Sequence, residues 1–298
     1  MRSRTPISGL CGVVILYHPD AEVFENIRSY ASVLEKLWVF DNSESNLQDL
    51  SATLAGVANL EWIQDGVNAG IGSRINTAID GARQAGYEWL LTMDQDSCFT
   101  EPNLEAYLTA LSALDTRNRR IAMVGIAYSH EGKTPDTSVV WRESLELVTS
   151  GSFVHLTAIA AVGGMNEQLF IDEVDSDFVY KAVLSGWEVL VADGVYMTHQ
   201  LGERKMVRSV KTRRWSNRGL HSPLRLYYIT RNFLWIRKVY GSHFPDLFRI
   251  RAQRIVNMYK NNLLYHPQRF LMIRMILKGY IDFKRNRTGK FDKLRQNL

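Results

Sequence analysis

Short apolar runs alternate with segments of helical periodicity along the first 200 residues of the chain. Apolar runs of roughly four to eight residues are typical of strands buried on both faces of a parallel sheet, and apolar positions that recur about every 3.6 residues are typical of helices. The runs that predict strands are 10–17, 37–40, 57–63, 89–93, 121–126, 148–155 and 189–192. The periodic segments that predict helices are 21–37, 73–86 and 101–114. This order predicts an α/β fold with a mostly parallel sheet flanked by helices.

The C-terminal third of the chain follows a different pattern. Residues 202–219 are basic and predict a flexible loop, and Ser222-Pro223 predicts the N-cap and first residue of a helix. Residues 246–265 and 267–283 predict two more helices. The expected domains are therefore an α/β domain at 1–220 and a C-terminal helical extension at 221–298.

One predicted strand ends abruptly in two acids. Residues 89–93 are mostly apolar, and Asp94-Gln95-Asp96 follows them. Ligands of open α/β sheets bind just beyond the carboxyl ends of strands, and alternate residues of an extended segment face the same way. Two close carboxylates repel each other unless a cation lies between them, and Mg²⁺ prefers carboxylate and phosphate oxygens. Asp94 and Asp96 therefore suit a metal–diphosphate, although a turn that happens to contain two Asp residues has the same pattern.

Two other segments suit a nucleotide. Asp41 ends the strand 37–40, where an acid often accepts hydrogen bonds from a base or ribose, although it could also cap a turn. Asn68 and Gly70 precede the helix 73–86, and a glycine-containing loop at a helix N-terminus presents free N–H groups to a phosphate. These glycines do not match the common phosphate-binding motifs, so an ordinary loop-to-helix turn remains open. The polar residues 128–143 predict a surface loop over the site.

A second acidic cluster precedes a predicted helix. Its members are Asp172, Glu173, Asp175 and Asp177. Helix capping explains one or two acids at a helix N-terminus, whereas four repel one another and indicate a function. His199 follows the last predicted strand and is either structural or a neutral imidazole ligand of a metal.

Charge is distributed unevenly. Residues 201–298 contain 24 of the 36 Lys and Arg residues but 4 of the 31 Asp and Glu residues, so they carry a net +20 against −15 for residues 1–200. An acidic catalytic domain and a basic tail that meets an anionic partner would produce this division. Cys11 and Cys98 form no metal-binding pattern and are expected to be reduced thiols. No signal peptide and no apolar run of about 18 residues is seen, so we expect a cytoplasmic protein.

Taken together, these segments resemble the family 2 glycosyltransferases with the GT-A fold, and within them the bacterial rhamnosyltransferases. The resemblance covers roughly residues 8–235. The matching motifs are Val14-Ile-Leu-Tyr17, Asp41-Asn42-Ser43, Asn68-x-Gly70-Ile-Gly72-x₃-Asn76, Met93-Asp-Gln-Asp-Ser97, Phe170-Ile-Asp172-x-x-Asp175-x-Asp177 and His199. One departure is that many family members have Arg at the position of Ile75, whereas Arg74 lies beside it here.

The resemblance implies a role for individual residues. It assigns Asp41 to the nucleobase, Asp94 to the nucleotide near the ribose, Asp96 and His199 to Mg²⁺ or Mn²⁺ on the diphosphate, and Asp175 to the catalytic base. The other implied donor-binding residues are Tyr17, Asn68, Gly70, Tyr228 and Arg231. Asp172 and Glu173 would bind the acceptor or donor sugar.

The implied function is an inverting transfer of L-rhamnose from dTDP-L-rhamnose to a hydroxyl of a glycan or lipid-linked saccharide in bacterial cell-surface polysaccharide synthesis. UDP-galactofuranose is an alternative donor. A nucleotidyltransferase would need a glycine-rich basic signature near the first strand, which 10–19 does not offer. A nucleic-acid-binding protein would explain the basic tail but not the acids, so we expect no nucleic-acid partner.

The helix 267–283 is rich in both apolar and basic residues. Such a helix can lie in the headgroup region of an anionic membrane, which would place the protein peripherally on the inner face of the plasma membrane. The alternative is a helix packed on the rest of the protein or in a homodimer. The sequence leaves both open.

Overall fold

The computed structural model describes residues 9–45, 51–54, 56–116, 118–129, 133–199, 204–208 and 213–292. The strands are β1 (Leu10–Leu16), β2 (Lys36–Asp41), β3 (Leu60–Ile63), β4 (Trp89–Asp94), β5 (Ser97–Cys98), β6 (Ile121–Ser129), β7 (Val140–Glu143), β8 (Ser152–His155), β9 (Glu188–His199), β10 (Arg204–Arg208) and β11 (Trp215–Gly219). The helices are α1 (Ala21–Ala31), α2 (Ile71–Gln84), α3 (Glu101–Ser112), α4 (Leu156–Val162), α5 (Val174–Leu184), α6 (Pro223–Tyr240), α7 (Pro245–Tyr265) and α8 (Arg269–Lys284).

The described residues divide into two compact units. The first unit comprises Met1–Phe170 and Val174–His199, and the second comprises Ile171–Glu173 and Gln200–Leu298. The first unit contains the large sheet and α1 to α5, whereas the second contains the β10–β11 hairpin and α6 to α8. The predicted domain boundary after residue 220 stays a prediction.

The large sheet is mixed and mostly parallel, as expected. Its strand order is β3-β2-β1-β4-β8-β6-β9-β5, with β7 also paired to β9. The first four strands are mutually parallel, β8 is antiparallel to both of its neighbours, and β6 is parallel to β9. Helices supply large side chains to the core, among them Phe24 and Tyr30 of α1 and Tyr107 of α3. The apolar side chains of the strands and of the flanking helices therefore form one core.

Several predictions of local structure need correction. Residues 128–143 are not a continuous loop, because β6 continues to Ser129 and β7 pairs with β9. The part of 202–219 that the structure describes forms an antiparallel β10–β11 hairpin rather than a flexible loop, and 200–203 and 209–212 lie outside the described residues. β9, which contains the predicted strand 189–192, is much longer than predicted, at 12 residues. In each case backbone pairing with a neighbouring strand determines the structure, and apolar periodicity does not report that pairing.

The C-terminal helices confirm the sequence pattern. Ser222 is the N-cap of α6, accepts a hydrogen bond from the Arg225 N–H at 3.2 Å, and is followed by Pro223 at the first helical position. The two expected helices appear as α7 and α8, within two residues of the predicted bounds. In the described part of the chain, no helix is both long and apolar enough to cross a bilayer.

Candidate active site

The predicted donor-binding acids lie at the carboxyl ends of adjacent parallel strands. β1 lies between β2 and β4, and its residue Leu16 pairs with Asp41 while Ile15 pairs with Asp94. Neighbouring strands are about 4.8 Å apart, so Asp41 and Asp94 flank the end of β1 at a separation of roughly 10 Å. This is the edge of an α/β sheet at which ligands bind.

Asp41 is held rigidly at this edge. The side chain is 2% exposed, and its Oδ1 accepts a hydrogen bond from the Ser43 N–H at 2.9 Å. Its Oδ2 accepts from Gln64 Nε2 at 2.6 Å, from the residue that follows β3. Each oxygen retains a second lone pair that can accept from a ligand. The carboxylate is therefore fixed in orientation and remains chemically able to bind a base.

Gln95, the residue between the two acids, connects the ends of β1 and β4. Its Oε1 accepts from the Tyr17 N–H at 2.7 Å, and its backbone carbonyl accepts from Asn26 Nδ2 at 2.9 Å. The Tyr17 ring is 49% exposed and lies against His18. Tyr17 thus lies at the same sheet edge as Asp94 and is exposed, and its role in donor binding stays a prediction. Gln95 has a positioning role that the sequence did not reveal.

A hydroxyl pair fixes the start of the acidic turn. The Asp94 N–H donates to Ser150 Oγ at 3.1 Å, and the Ser150 hydroxyl donates to Ser97 Oγ at 2.7 Å. Ser97 and Ser150 are both buried. Asp94 and Asp96 are therefore anchored from both sides by neutral hydrogen bonds.

Tyr128 lies beside the start of the acidic turn. Its hydroxyl donates to the Ser150 carbonyl at 3.1 Å, and Ser150 Oγ accepts from the Asp94 N–H at 3.1 Å. Burial raises the pKa of Tyr128 well above its ordinary value, and the negative charges of Asp94, Asp175 and Asp96 raise this pKa further. Tyr128 falls in the segment that was expected to be a loop, and no feature of the sequence indicated its position.

Asp175 lies in the first turn of α5 and is half-buried. Its Oδ1 accepts from the Ser176 N–H at 2.7 Å, and the positive end of the helix dipole stabilises its ionised form. Asp177 is different: it is 1% exposed and forms an ion pair with Lys181 at 3.0 Å. Of these two acids, Asp175 is the accessible one.

The backbone of His199 lies beside the acidic turn. His199 ends β9 and pairs with Ser97, the residue after Asp96, in the antiparallel β5–β9 pair. The His199 side chain lies outside the described part of the structure. Its assignment as a metal ligand stays a prediction, with a backbone position that suits it.

Gly70 and Asn68 have structural partners. The Gly70 N–H donates to Asn68 Oδ1 at 3.2 Å, and the N–H of Ile71, the first residue of α2, donates to the Phe170 carbonyl at 2.8 Å. A Cβ at Gly70 would lie 2.7 Å from that carbonyl oxygen, and the Gly70 φ is +84°. Glycine is thus required by the close approach of Phe170. A role of Asn68 and Gly70 in donor binding stays a prediction.

Arg74, adjacent to the position where many family members have Arg, is buried among loops at the same sheet edge. Its Nε donates to Asn42 Oδ1 at 2.7 Å, and its two terminal nitrogens donate to Asp65 at 2.8 and 2.6 Å. The hydrogen bond from Arg74 holds the pKa of Asp65 below its ordinary value. Arg74 therefore connects the segments that follow β2 and β3.

In the second unit, the predicted sugar-binding acids form ion pairs. Asp172 Oδ1 accepts from Arg225 at 2.7 Å, and Glu173 accepts at both oxygens from a single Arg251 nitrogen at 2.7 and 2.5 Å. Burial raises the pKa of Asp172, and the charge of Arg225 opposes that effect. A sugar-binding role for Asp172 and Glu173 stays a prediction.

Tyr228 and Arg231 also have partners within the second unit. Arg231 is 2% exposed and donates to the Gly289 carbonyl at 2.7 Å, whereas the Tyr228 hydroxyl accepts from the Phe291 N–H at 2.7 Å. Both side chains thereby anchor residues 289–291 of the C-terminal segment. Their contact with donor phosphates stays a prediction.

The chemistry of the first-unit acids fits a hard divalent cation that is bound together with a diphosphate. Asp94 ends β4 and Asp96 lies two residues further on, and a cation relieves the repulsion between two such carboxylates. Among the side chains that the structure describes, no three His, Cys, Asp or Glu residues form a complete metal site. Mg²⁺ needs only one or two protein carboxylates when phosphate oxygens and water complete its coordination.

The chain is similar in sequence to a curated bacterial transferase. It is 29% identical over 301 residues to the dTDP-rhamnosyl transferase RfbF of Shigella flexneri, a match that covers 89% of this chain and 94% of that protein. No protein-family model matches the chain.

Two solved glycosyltransferase structures share the fold. S. aureus TarS matches with a TM-score of 0.50 at 18% identity, covering 75% of this chain and 38% of TarS. GalNAc-T7, crystallised with UDP, GalNAc and Mn²⁺, matches with a TM-score of 0.55 at 10% identity, covering 93% of this chain and 56% of GalNAc-T7. The chain thus spans well under two thirds of either protein. These matches confirm the GT-A fold, and the sequence match confirms the resemblance to rhamnosyltransferases.

Proposed function

We propose that the protein is an inverting glycosyltransferase that moves L-rhamnose from dTDP-L-rhamnose to a saccharide hydroxyl in the synthesis of a bacterial cell-surface polysaccharide such as O-antigen. The observation that carries the proposal is the position of Asp41 and Asp94 at the carboxyl ends of the two parallel strands on either side of β1, the ligand-binding edge of a GT-A sheet. The 29% identity to a dTDP-rhamnosyl transferase supports the choice of donor. The reaction would take place in the cytoplasm, on a glycan or lipid-linked acceptor.

The sheet edge supplies the donor site of this proposal. Asp41, fixed by Ser43 and Gln64, accepts hydrogen bonds from the nucleobase, and Asp94 accepts from the nucleotide near the ribose. Asp96 and His199 would hold Mg²⁺ or Mn²⁺ against the diphosphate. Such an ion supplies positive charge that stabilises the departing nucleoside diphosphate.

Asp175 acts as the catalytic base. As an acceptor hydroxyl oxygen attacks the anomeric carbon, Asp175 takes the hydroxyl proton, and the bond from that carbon to the diphosphate oxygen breaks. A single displacement inverts the configuration at the anomeric carbon. The position of Asp175 in the first turn of α5 suits this role, because the helix dipole favours the ionised carboxylate that a base requires.

The first prediction separates catalysis from binding. Asp175→Asn keeps the size of the side chain and removes its basicity, so we expect transfer to fall by about 10²- to 10⁴-fold. Donor affinity, measured by calorimetry with Mg²⁺ present, should stay within about threefold, since the base contacts the acceptor. Asp80→Asn, at an exposed carboxylate on α2, is the matched control and should keep full activity. Loss of donor affinity together with activity in Asp175→Asn would indicate a structural role and refute the assignment.

The second prediction concerns the donor and the metal. With Mg²⁺ present, dTDP-L-rhamnose should raise the melting temperature more than UDP-galactofuranose does, since only ligands that bind the folded state stabilise it. EDTA should remove most of this increase in melting temperature. In Asp96→Ala, dTDP-L-rhamnose should raise the melting temperature only slightly, whether Mg²⁺ or EDTA is present. A larger shift with UDP-galactofuranose would replace the proposed donor. An unchanged metal-dependent shift in Asp96→Ala would refute its metal role.

A further inference from the structure

α8 has a buried face and a separate exposed apolar face. The buried face is formed by Met272, Met275, Gly279 and Asp282, at spacings of three, four and three residues. Gly279 marks how closely α6 approaches, because a Cβ there would lie 2.7 Å from the Tyr227 carbonyl oxygen. This face accounts for the packing of α8 within the second unit. It leaves the other apolar residues of the helix unexplained.

Those residues form an exposed stripe along α8. The stripe consists of Phe270, Ile273, Leu277 and Ile281, at spacings of three, four and four residues, and these side chains are 82%, 43%, 56% and 42% exposed. Such spacing places them on one face of the helix. These four residues line a groove of about 530 Å³, together with Arg274 and Lys278 among others. Exposed apolar surface that is contiguous in this way marks a contact with a partner or a membrane.

Cations border the stripe. Arg269, Arg274, Lys284 and Arg285 are exposed at or beside α8. The one acid of α8, Asp282, is buried and already paired with Lys278 at 3.2 Å. The exposed charges of α8 itself are therefore all positive, and the second unit to which it belongs comes from the strongly basic part of the chain.

We propose that the exposed stripe of α8, defined by Phe270, Ile273, Leu277 and Ile281, docks on an anionic lipid surface. The apolar side chains enter the headgroup–acyl boundary, and the bordering cations meet lipid phosphates. A helix of 16 residues is about 24 Å long, which gives room for this contact in the plane of the membrane. A second copy of the chain is the poorer occupant. Symmetric pairing of two such faces would bring the same cations opposite one another.

The test is flotation of the purified full chain with lipid vesicles. We expect the protein to float with vesicles that contain phosphatidylglycerol and to bind phosphatidylcholine vesicles at least about tenfold less. Raising the salt concentration to 0.5 M should weaken binding, because salt screens the attraction to lipid phosphates. No flotation with phosphatidylglycerol would overturn the proposal. Equal binding to both vesicle types would overturn the part assigned to the cations.

Variants locate the contact on α8. Phe270→Glu/Leu277→Glu should reduce vesicle binding at least tenfold with an unchanged melting temperature, because both side chains are already exposed. Leu184→Glu, at a leucine of the first unit that is 45% exposed, is the matched control and should bind as the wild type does. Wild-type binding by the double variant would refute the assignment. A wild-type dimer that the double variant dissociates, without any vesicle binding, would assign the stripe to a second copy.

This inference goes beyond the proposed function and can fail separately from it. Vesicle binding requires neither donor nor acceptor, so flotation reports only on the surface. The thermal shift with dTDP-L-rhamnose should be the same in Phe270→Glu/Leu277→Glu and in the wild type. If the protein binds vesicles but dTDP-L-rhamnose does not raise its melting temperature, the docking surface stands and the transferase proposal is refuted.

Discussion

Gly70 shows how one residue can serve both the fold and a candidate binding site. Its left-handed backbone conformation and its contact with the Phe170 carbonyl both require the absence of a Cβ. A motif that resembles a phosphate-binding loop is thus also the point at which α2 meets the segment before the acidic cluster. Glycine in a donor-binding motif can therefore reflect packing as much as ligand binding.

Gly70→Ala tests this packing role. The Gly70 backbone, with φ of +84° and ψ of 170°, lies in a region essentially restricted to glycine, which costs an alanine about 1–3 kcal/mol, and overlap with a backbone oxygen adds roughly 1–3 kcal/mol. Gly86→Ala is the control for a positive φ without crowding, because its φ is +79° and no heavy atom lies within 4 Å of the added Cβ. Urea unfolding should show a clearly larger loss of stability for Gly70→Ala than for Gly86→Ala. Equal losses would mean that Phe170 moves away at little cost.

At the scale of elements, α2 holds the segment 163–170 through one side chain. Asn76 Nδ2 donates to the Met165 carbonyl at 3.0 Å and to Glu167 at 2.8 Å, and Asn76 Oδ1 accepts from the Met165 N–H at 2.9 Å. A Cβ at Gly164 would lie 3.1 Å from Asn76 Oδ1. The spacing of Gly70, Gly72 and Asn76 in the motif therefore has a packing explanation, since a Cβ at Gly72 would also lie 3.1 Å from the Asn166 carbonyl oxygen.

Asn76→Ala should lower the free energy of unfolding by about 2–3 kcal/mol, since it removes three hydrogen bonds and leaves backbone groups of Met165 unsatisfied. Thr77→Ala, at an exposed position whose hydroxyl bonds only the Ser73 carbonyl of the same helix, should change it by less than about 0.5 kcal/mol. Urea unfolding measures both. A loss below 1 kcal/mol for Asn76→Ala would show that water replaces these contacts.

Strands that consist of a continuous apolar run could be predicted from the sequence. Strands that lack such a run and form only because their backbone pairs with another strand could not. The run 10–17 corresponds to β1 and 89–93 to β4, because strands buried on both faces must be apolar throughout. β7 and β10 are short and mostly exposed or charged, so no apolar pattern marks them; β7 pairs with the distant β9, and β10 pairs with β11 in a hairpin of mostly polar residues. The position of Tyr128 likewise depends on strand pairing and could not be predicted, and the roles of Asp94, Asp96 and Asp175 stay predictions.

At the scale of the whole molecule, charge is segregated along the chain. Residues 1–200 carry a net −15 and residues 201–298 a net +20. A basic segment of this size attracts any polyanion at low salt, so binding in dilute buffer would not identify a physiological partner. Salt dependence separates general attraction from recognition.

A gel-shift series with short DNA and RNA tests the nucleic-acid alternative. We expect any retarded complex at 50 mM salt to disappear by 200 mM, because phosphate contacts without base recognition weaken steeply with salt. Bovine serum albumin and a basic protein of similar charge, such as lysozyme, serve as controls for the gel. A complex that survives 200 mM salt and prefers one sequence would favour a nucleic-acid-binding protein.

The backbone between Leu169 and Val174 has a consequence for protein engineering. Phe170, Asp172 and Glu173 are non-glycine residues with φ of +68°, +63° and +68°, values that side chains disfavour by about 1 kcal/mol or more each. Asn232 donates to the Asp172 carbonyl at 3.1 Å and helps to hold this conformation within the second unit. Mutagenesis aimed at altered sugar preference should therefore leave β-branched residues out of the libraries at these positions, because such residues tolerate a positive φ least, and should also diversify the exposed Tyr17.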